Sequence, residues 1–197
     1  IVNGQADAAF SSTVSPVVKR LAASPRGVKW MPLPPGDVDA WKRLHAVAPY
    51  FLKQKVTLGA GLSKDKPWAG ATYPYPILVT NASMKAETVH AIVKAMIDNY
   101  DSYKDGAPGA KGWALSNQNL TWVMPYHEGA VRAFKEKGVW TAEAQVHNDK
   151  LVKRQEVLAA AWKAFKATKP ADDGFGAAWM KARATALTKA GMAPIFK

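Results

Sequence analysis

A mixed α/β fold is the class this sequence predicts, and three features predict it. Short β-branched or apolar runs bounded by Gly and Pro are concentrated in the first 80 residues. Runs with the i, i+3, i+4 spacing of a helix dominate the rest of the chain. Apolar residues make up 48% of the 197, enough for a packed core and too many for a disordered chain.

The elements follow in order. Asn3-Gly4 reads as a turn and residues 6–10 as a buried strand. Ser11-Ser12-Thr13 then offers hydroxyls ahead of Pro16, which suits the first turn of a helix; Val17, Val18 and Leu21 would face inward, and Pro25 with Gly27 ends it. Residues 28–33 read as a strand stopped by Pro34-Pro35. Asp37 or Asp39 caps a short helix carrying Trp41, Leu44 and Ala48, which Pro49 ends. Between 50 and 75 the periodicity fails and Gly and Pro dominate, whereas 77–80 is a good β-branched strand.

The clearest helix follows, capped by Asn81 or Ser83, with Val89, Ile92, Val93, Met96, Ile97 and Tyr100 on one face. A Gly/Pro loop over 105–112 precedes a weak helix around 113–120. Pro125 opens the next helix, in which Glu128 brings negative charge to the first turn, Val131 and Phe134 share a face, and Gly138 closes the end. Thr141 caps a long helix with a narrow seam of Leu151, Gln155, Leu158, Trp162 and Phe165, broken by Pro170. The last helix runs from about 175 to 190, with Phe175, Trp179, Ala182 and Ala186 on one face and Gly191 as its stop.

Composition removes several function classes. The absence of cysteine excludes disulfides, thiolate metal sites and cysteine nucleophiles. No apolar run approaches the length of a membrane span. Lys and Arg number 27 against 15 Asp and Glu, a net charge of +12 that favours anionic partners. Residues 145–197 hold ten of those cations and four of the acids, yet no Lys/Arg block reads as a nucleic-acid arm.

Catalytic and metal motifs are missing. Histidines 45, 90, 127 and 147 have no metal-ligand spacing, and His127 is expected to cap a helix or bond a backbone carbonyl. Gly59-Ala60-Gly61 lacks the third Gly of a dinucleotide loop, and Lys111-Gly112 is not a phosphate loop. No Gly-x-Ser-x-Gly elbow is present, and Asp172-Asp173 sits in a turn. No enzyme activity, cofactor or metal is expected. Trp41, Trp113, Trp162 and Trp179 are read as core packing.

Two groups remain as candidate ligand residues. Phe10, Ser11, Ser12 and Thr13 stand at the C-terminal end of the 6–10 strand, where open α/β sheets bind ligands and where hydroxyls and backbone N–H groups hold a carboxylate. Capping of the Pro16 helix is the structural alternative. Tyr73 and Tyr75, in Thr72-Tyr73-Pro74-Tyr75-Pro76, would line a cleft with phenols or form a rigid connector.

The pattern Pro-x-His-x-Gly-Ala-x-x-x-aromatic-x-Glu-x-Gly over 125–138 resembles the C-terminal tract of the TAXI family of TRAP-transporter solute receptors. Gly4-Gln5-Ala6-Asp7-Ala8-Ala9-Phe10 resembles the Gly-x-x-Asp-Ala-x-aromatic segment of the same family. The resemblance covers about 1–139. Gly59-Ala60-Gly61 departs from the family's Gly-x-Tyr-x-Gly, and the family's N-terminal ligand motif and Gly-Ser-Gly-Thr-like loop have no counterpart here.

The resemblance implies part of a two-lobed fold like the type II periplasmic binding proteins, with a C-terminal helical extension. On that reading 1–75 is the remainder of the second lobe, 76–139 crosses back to the first, and 140–197 is the extension. It further implies a periplasmic receptor that captures a small carboxylate, an organic acid or amino acid, and docks on the membrane subunits of a TRAP transporter. The N-terminal portion of such a receptor would complete the site, and no nucleic acid is expected. A helical protein-interaction module, or a basic domain that binds anions generally, is the alternative.

Overall fold

The computed structural model of the chain describes residues 1, 3–74, 76–107 and 109–195. Among them it is a mixed α/β structure of seven helices and one two-stranded antiparallel sheet. The chain forms two compact units from interleaved segments. Ile1–His45, Tyr50–Leu78 and Asn99–Gln118 make the first; Ala46–Pro49, Val79–Asp98 and Asn119–Lys197 make the second.

The first unit holds α1 (Pro16–Ala22), most of α2 (Val38–Val47), β1 (Leu52–Val56), β2 (Trp68–Thr72) and the short α4 (Tyr100–Tyr103). Ser15 caps α1 by accepting from Val18 N, with Pro16 in the first turn, and only Val18 of its valines is buried. Val17, expected inside, is exposed. Asp37 caps α2 through Ala40 N at 3.0 Å, which decides between the two aspartates, and Trp41 is buried beneath it.

The strands differ from expectation. Residues 6–10, 28–33 and 77–80 are irregular, and the sheet forms instead within 50–75. A strand needs a partner as well as β-branched residues, and Leu78 and Val79 lie exposed with no strand paired to them among the described residues. β1 and β2 pair from Leu52↔Thr72 to Val56↔Trp68. Gly70 is fixed in β2 because the Trp68 indole lies over it, and a Cβ there would overlap the ring.

Tryptophans clamp the irregular parts of this unit. Indole N–H groups donate from Trp30 to Ala60 O at 2.9 Å, from Trp41 to Pro34 O at 3.0 Å, from Trp68 to Met31 O at 2.9 Å and from Trp113 to Pro76 O at 2.9 Å. Each of these loop carbonyls gains a partner that no ladder provides. The weak helix expected at 113–120 is two 3₁₀ turns, Ala110–Trp113 and Leu115–Asn117.

The second unit is helical: α3 (Ala86–Asp98), α5 (Glu128–Glu136), α6 (Ala142–Ala167) and α7 (Phe175–Lys189). α3 starts one turn later than its two expected caps, because 81–84 closes a turn of its own through Met84 N to Asn81 O. Thr141 caps α6 through Ala144 N at 3.0 Å, as its hydroxyl predicts.

α6 does not carry one seam. Its first turns bury Ala144 and Asn148, whose amide brackets Tyr126 by accepting from its N–H at 2.7 Å and donating to its carbonyl at 3.4 Å. Its later turns pack on α7 through Trp162, Phe165, Phe175 and Trp179, with ring centroids 4.8 to 6.1 Å apart. Gln155, placed in the seam by spacing, is exposed because the contact face rotates between these two partners. Gly191, at φ +70°, ends α7 as expected, with Met192 N bonding back to Leu187 O.

Candidate functional site

The first candidate group is the loop that enters α1. Ser15 makes the cap, leaving Ser11, Ser12 and Thr13 outside that role. Ser11 shares a 3.0 Å hydrogen bond with the Ser15 hydroxyl, and Ser12 Oγ accepts from Val14 N at 3.5 Å. Thr13 is held by its backbone: its carbonyl accepts from Ala60 N at 2.9 Å. Gly59 makes that approach possible at φ +135°, since a Cβ would stand 2.5 Å from both Thr13 Cβ and Thr13 O. Trp30 then fixes Ala60 from the other side.

Thus the Gly-Ala-Gly stretch rejected as a nucleotide loop is the seat of the Ser11–Thr13 segment. The readable signal was Gly59, whose missing Cβ marks a close backbone approach. Among the described residues no protein acceptor takes the backbone N–H of 11, 12 or 13. These N–H groups and the hydroxyls of Ser12 and Thr13 are therefore donors for water or an anion. Phe10 is 77% exposed and packs no core.

The second group is aromatic. Residues 51 and 73 flank the sheet where Leu52 pairs with Thr72, so Tyr73 meets Phe51 at 5.9 Å and Tyr50 at 6.1 Å. Tyr50 and Phe51 stand 4.7 Å apart. All three rings are half-buried, and neither Tyr50 nor Phe51 was singled out by the sequence. Tyr75, the other expected phenol, lies outside the described residues. Tyr73 and the 10–13 loop are anchored by different partners.

The 125–138 tract belongs to the second unit, and each of its signature positions does structural work. His127 caps α5, its Nδ1 accepting from Gly129 N at 3.2 Å. That bond leaves the proton on Nε2, which donates to Met84 O at 3.1 Å. Gly129 lets α5 meet α3: a Cβ there would overlap Ala86 O and come within 2.8 Å of His90 N. Ala130, Val131, Ala133 and Phe134 are buried, and Phe134 stacks parallel to Trp140 at 6.3 Å and edge-on to Tyr126 at 5.3 Å. Burial pushes the Tyr126 phenol up.

Glu136 accepts from His90 on α3 at 2.9 Å and from Arg132 at 3.4 Å, and these bonds hold its carboxyl below the usual range. Gly138, at φ +69°, closes the helix, with Val139 N returning to Phe134 O. Lys137 and Lys94 both bond Asp98 and lower its carboxyl to about 2.

Among the described residues no three His, Asp or Glu side chains gather as metal ligands, and no helix is long and apolar enough to cross a membrane. The arrangement offers hydrogen-bond donors and aromatic faces, the chemistry of capture.

The profile of the NMT1-like family, which is of periplasmic-binding type, matches residues 1–138, and the chain belongs to that family. Members are substrate-binding proteins, generally without catalysis and typically extracytoplasmic. No curated protein and no solved structure matches the chain. The family span ends at Gly138, so α6 and α7 lie beyond it.

Proposed function

We propose that the chain is the solute-capturing part of a TAXI-type receptor that delivers a small organic acid or amino acid to a TRAP transporter in the periplasm. The observation that carries this reading is the family match over 1–138, which contains both tracts of TAXI resemblance. The backbone N–H groups of 11–13, the hydroxyls of Ser12 and Thr13 and the net charge of +12 favour a carboxylate. Tyr73, with Tyr50 and Phe51, would cover its apolar part, and Tyr75 is retained as a contact.

In this proposal the working receptor has the two-lobed type II architecture, and closure on the solute presents a surface to the membrane subunits. Residues 1–75 serve in the second lobe, 76–139 return to the first, and 140–197 extend beyond both.

A thermal-shift screen of small organic acids and amino acids tests it. A true ligand at a hundred times its Kd stabilises the protein by about 2.7 kcal/mol. Thr13→Val should reduce that shift while leaving the ligand-free melt in place. If every acid leaves the melting temperature unchanged, the receptor reading fails. A second reading, a protein-interaction module, is favoured by the α6–α7 hairpin lying outside the family span.

A further inference from the structure

The two-stranded sheet leaves the outer edge of β1 open, and the hydrogen-bond parity shows which groups line it. Leu33 N donates to Ala69 O at 2.9 Å, so Ala69 turns its backbone groups away from β1. In an antiparallel ladder such residues alternate with those that bond across. The bonded pairs are therefore Leu52/Thr72, Gln54/Gly70 and Val56/Trp68, within the observed register. Lys53 and Lys55, opposite Ala71 and Ala69, must direct their N–H and C=O groups to the far side of β1. Among the described residues nothing bonds those groups, and Lys53, Gln54 and Lys55 are all exposed.

We infer that the free edge of β1 is a docking site for an extended, acidic polypeptide segment, which adds to the sheet as a third strand. A two-stranded ribbon is marginal in water, and a further strand satisfies two donors and two acceptors spaced about 6.8 Å apart. Charge selects the occupant. Lys53 and Lys55 project from the same sheet face. The Lys53 ammonium is engaged with Pro35 O at 2.8 Å and lies over the Trp41 ring, whereas Lys55 makes no ion pair among the described residues. A second copy pairing across a two-fold at Gln54 would set Lys53 against Lys55, a like-charge juxtaposition that is destabilising. An Asp or Glu opposite Lys55 is favourable. The site is independent of the solute reading, because it uses backbone groups outside both candidate ligand groups.

Amide exchange by NMR tests it, with the blocked peptides Thr-Glu-Val-Glu-Thr and Thr-Lys-Val-Lys-Thr at millimolar concentration as probes. The free chain should exchange Lys53 and Lys55 amides fast and Gln54 slowly. The acidic peptide should slow Lys53 and Lys55 at least tenfold, and the basic one should not. Lys55→Pro removes an N–H that the β1–β2 ladder does not use, so it should abolish the protection of Lys53 without moving the melting temperature. Lys55→Glu, which keeps the backbone, should exchange the preference for the basic peptide. Slow Lys53 and Lys55 amides in the free chain, equal protection by both peptides, or no protection by either would overturn the proposal.

Discussion

At Gly129 a single hydrogen atom in place of a methyl group decides whether α5 can lie against α3. Ala86 O and the backbone of His90 occupy the space a Cβ would need, and backbone cannot step aside as a flexible side chain does. Gly129→Ala should cost about 1–3 kcal/mol in urea denaturation. Gly176, in α7 with open space around it, is the control. Gly176→Ala should stabilise by about 0.5–1 kcal/mol through helix propensity alone. Asp98 offers a charge test. Its folded carboxyl sits at about 2 against an ordinary 3.8, held down by Lys137 and then Lys94. A depressed carboxyl contributes stability that is fully present above 3.8 and lost as pH falls toward 2. The Asp98 carboxyl resonance should titrate near 2, and Asp98→Asn should flatten the acid limb of the stability curve in that window.

Among the elements, the α6–α7 hairpin draws its cohesion from four rings near its turn. Trp179 touches two of them, Trp162 at 4.8 Å and Phe165 at 5.5 Å. Trp179→Ala should cost about 3 kcal/mol, and amide exchange should quicken in α7 before it does in α3 and α5. Elements were legible in the sequence where their signals are local. The hydroxyl of Thr141, the carboxylate of Asp37 and the glycines at 138 and 191 act within one turn of their own position, and all four do what their residue type predicts. Strands were not legible, because pairing joins Lys53 to Ala71 across a stretch with no period of its own. The run at 77–80 has strand composition without a strand partner among the described residues, and 28–33 reaches β2 only through the Leu33 N–H bond to Ala69 O. The candidate site shares this division. The hydroxyls of 11–13 were visible, but the seat provided by Gly59 and Ala60 is a contact between distant segments.

For the whole molecule, a net charge of +12 acts over distances set by ionic strength. Binding of a carboxylate to a partly exposed donor loop should weaken as salt rises from about 0.05 to 0.5 M, where the screening length falls well below 10 Å. The two compact units also give separate reporters. α1, α2 and the sheet lie in one, and α3, α5, α6 and α7 in the other, so a ligand held by the 10–13 loop should protect amides of the first unit preferentially.

The tryptophans that clamp the loops of the first unit also make the molecule legible to a spectrometer. An indole proton already committed to a carbonyl resonates far downfield and is slow to leave. Trp30, Trp41, Trp68 and Trp113 each hold such a proton in the first unit, while Trp140 directs its own to Gln145 Oε1 at 3.0 Å in the second. Five side-chain resonances, without any label beyond nitrogen-15, therefore form a fixed set of beacons. Movement of the Trp30 signal would report on the seat of Thr13 within minutes of adding a solute, and a still Trp140 beside it would show that the disturbance stayed local.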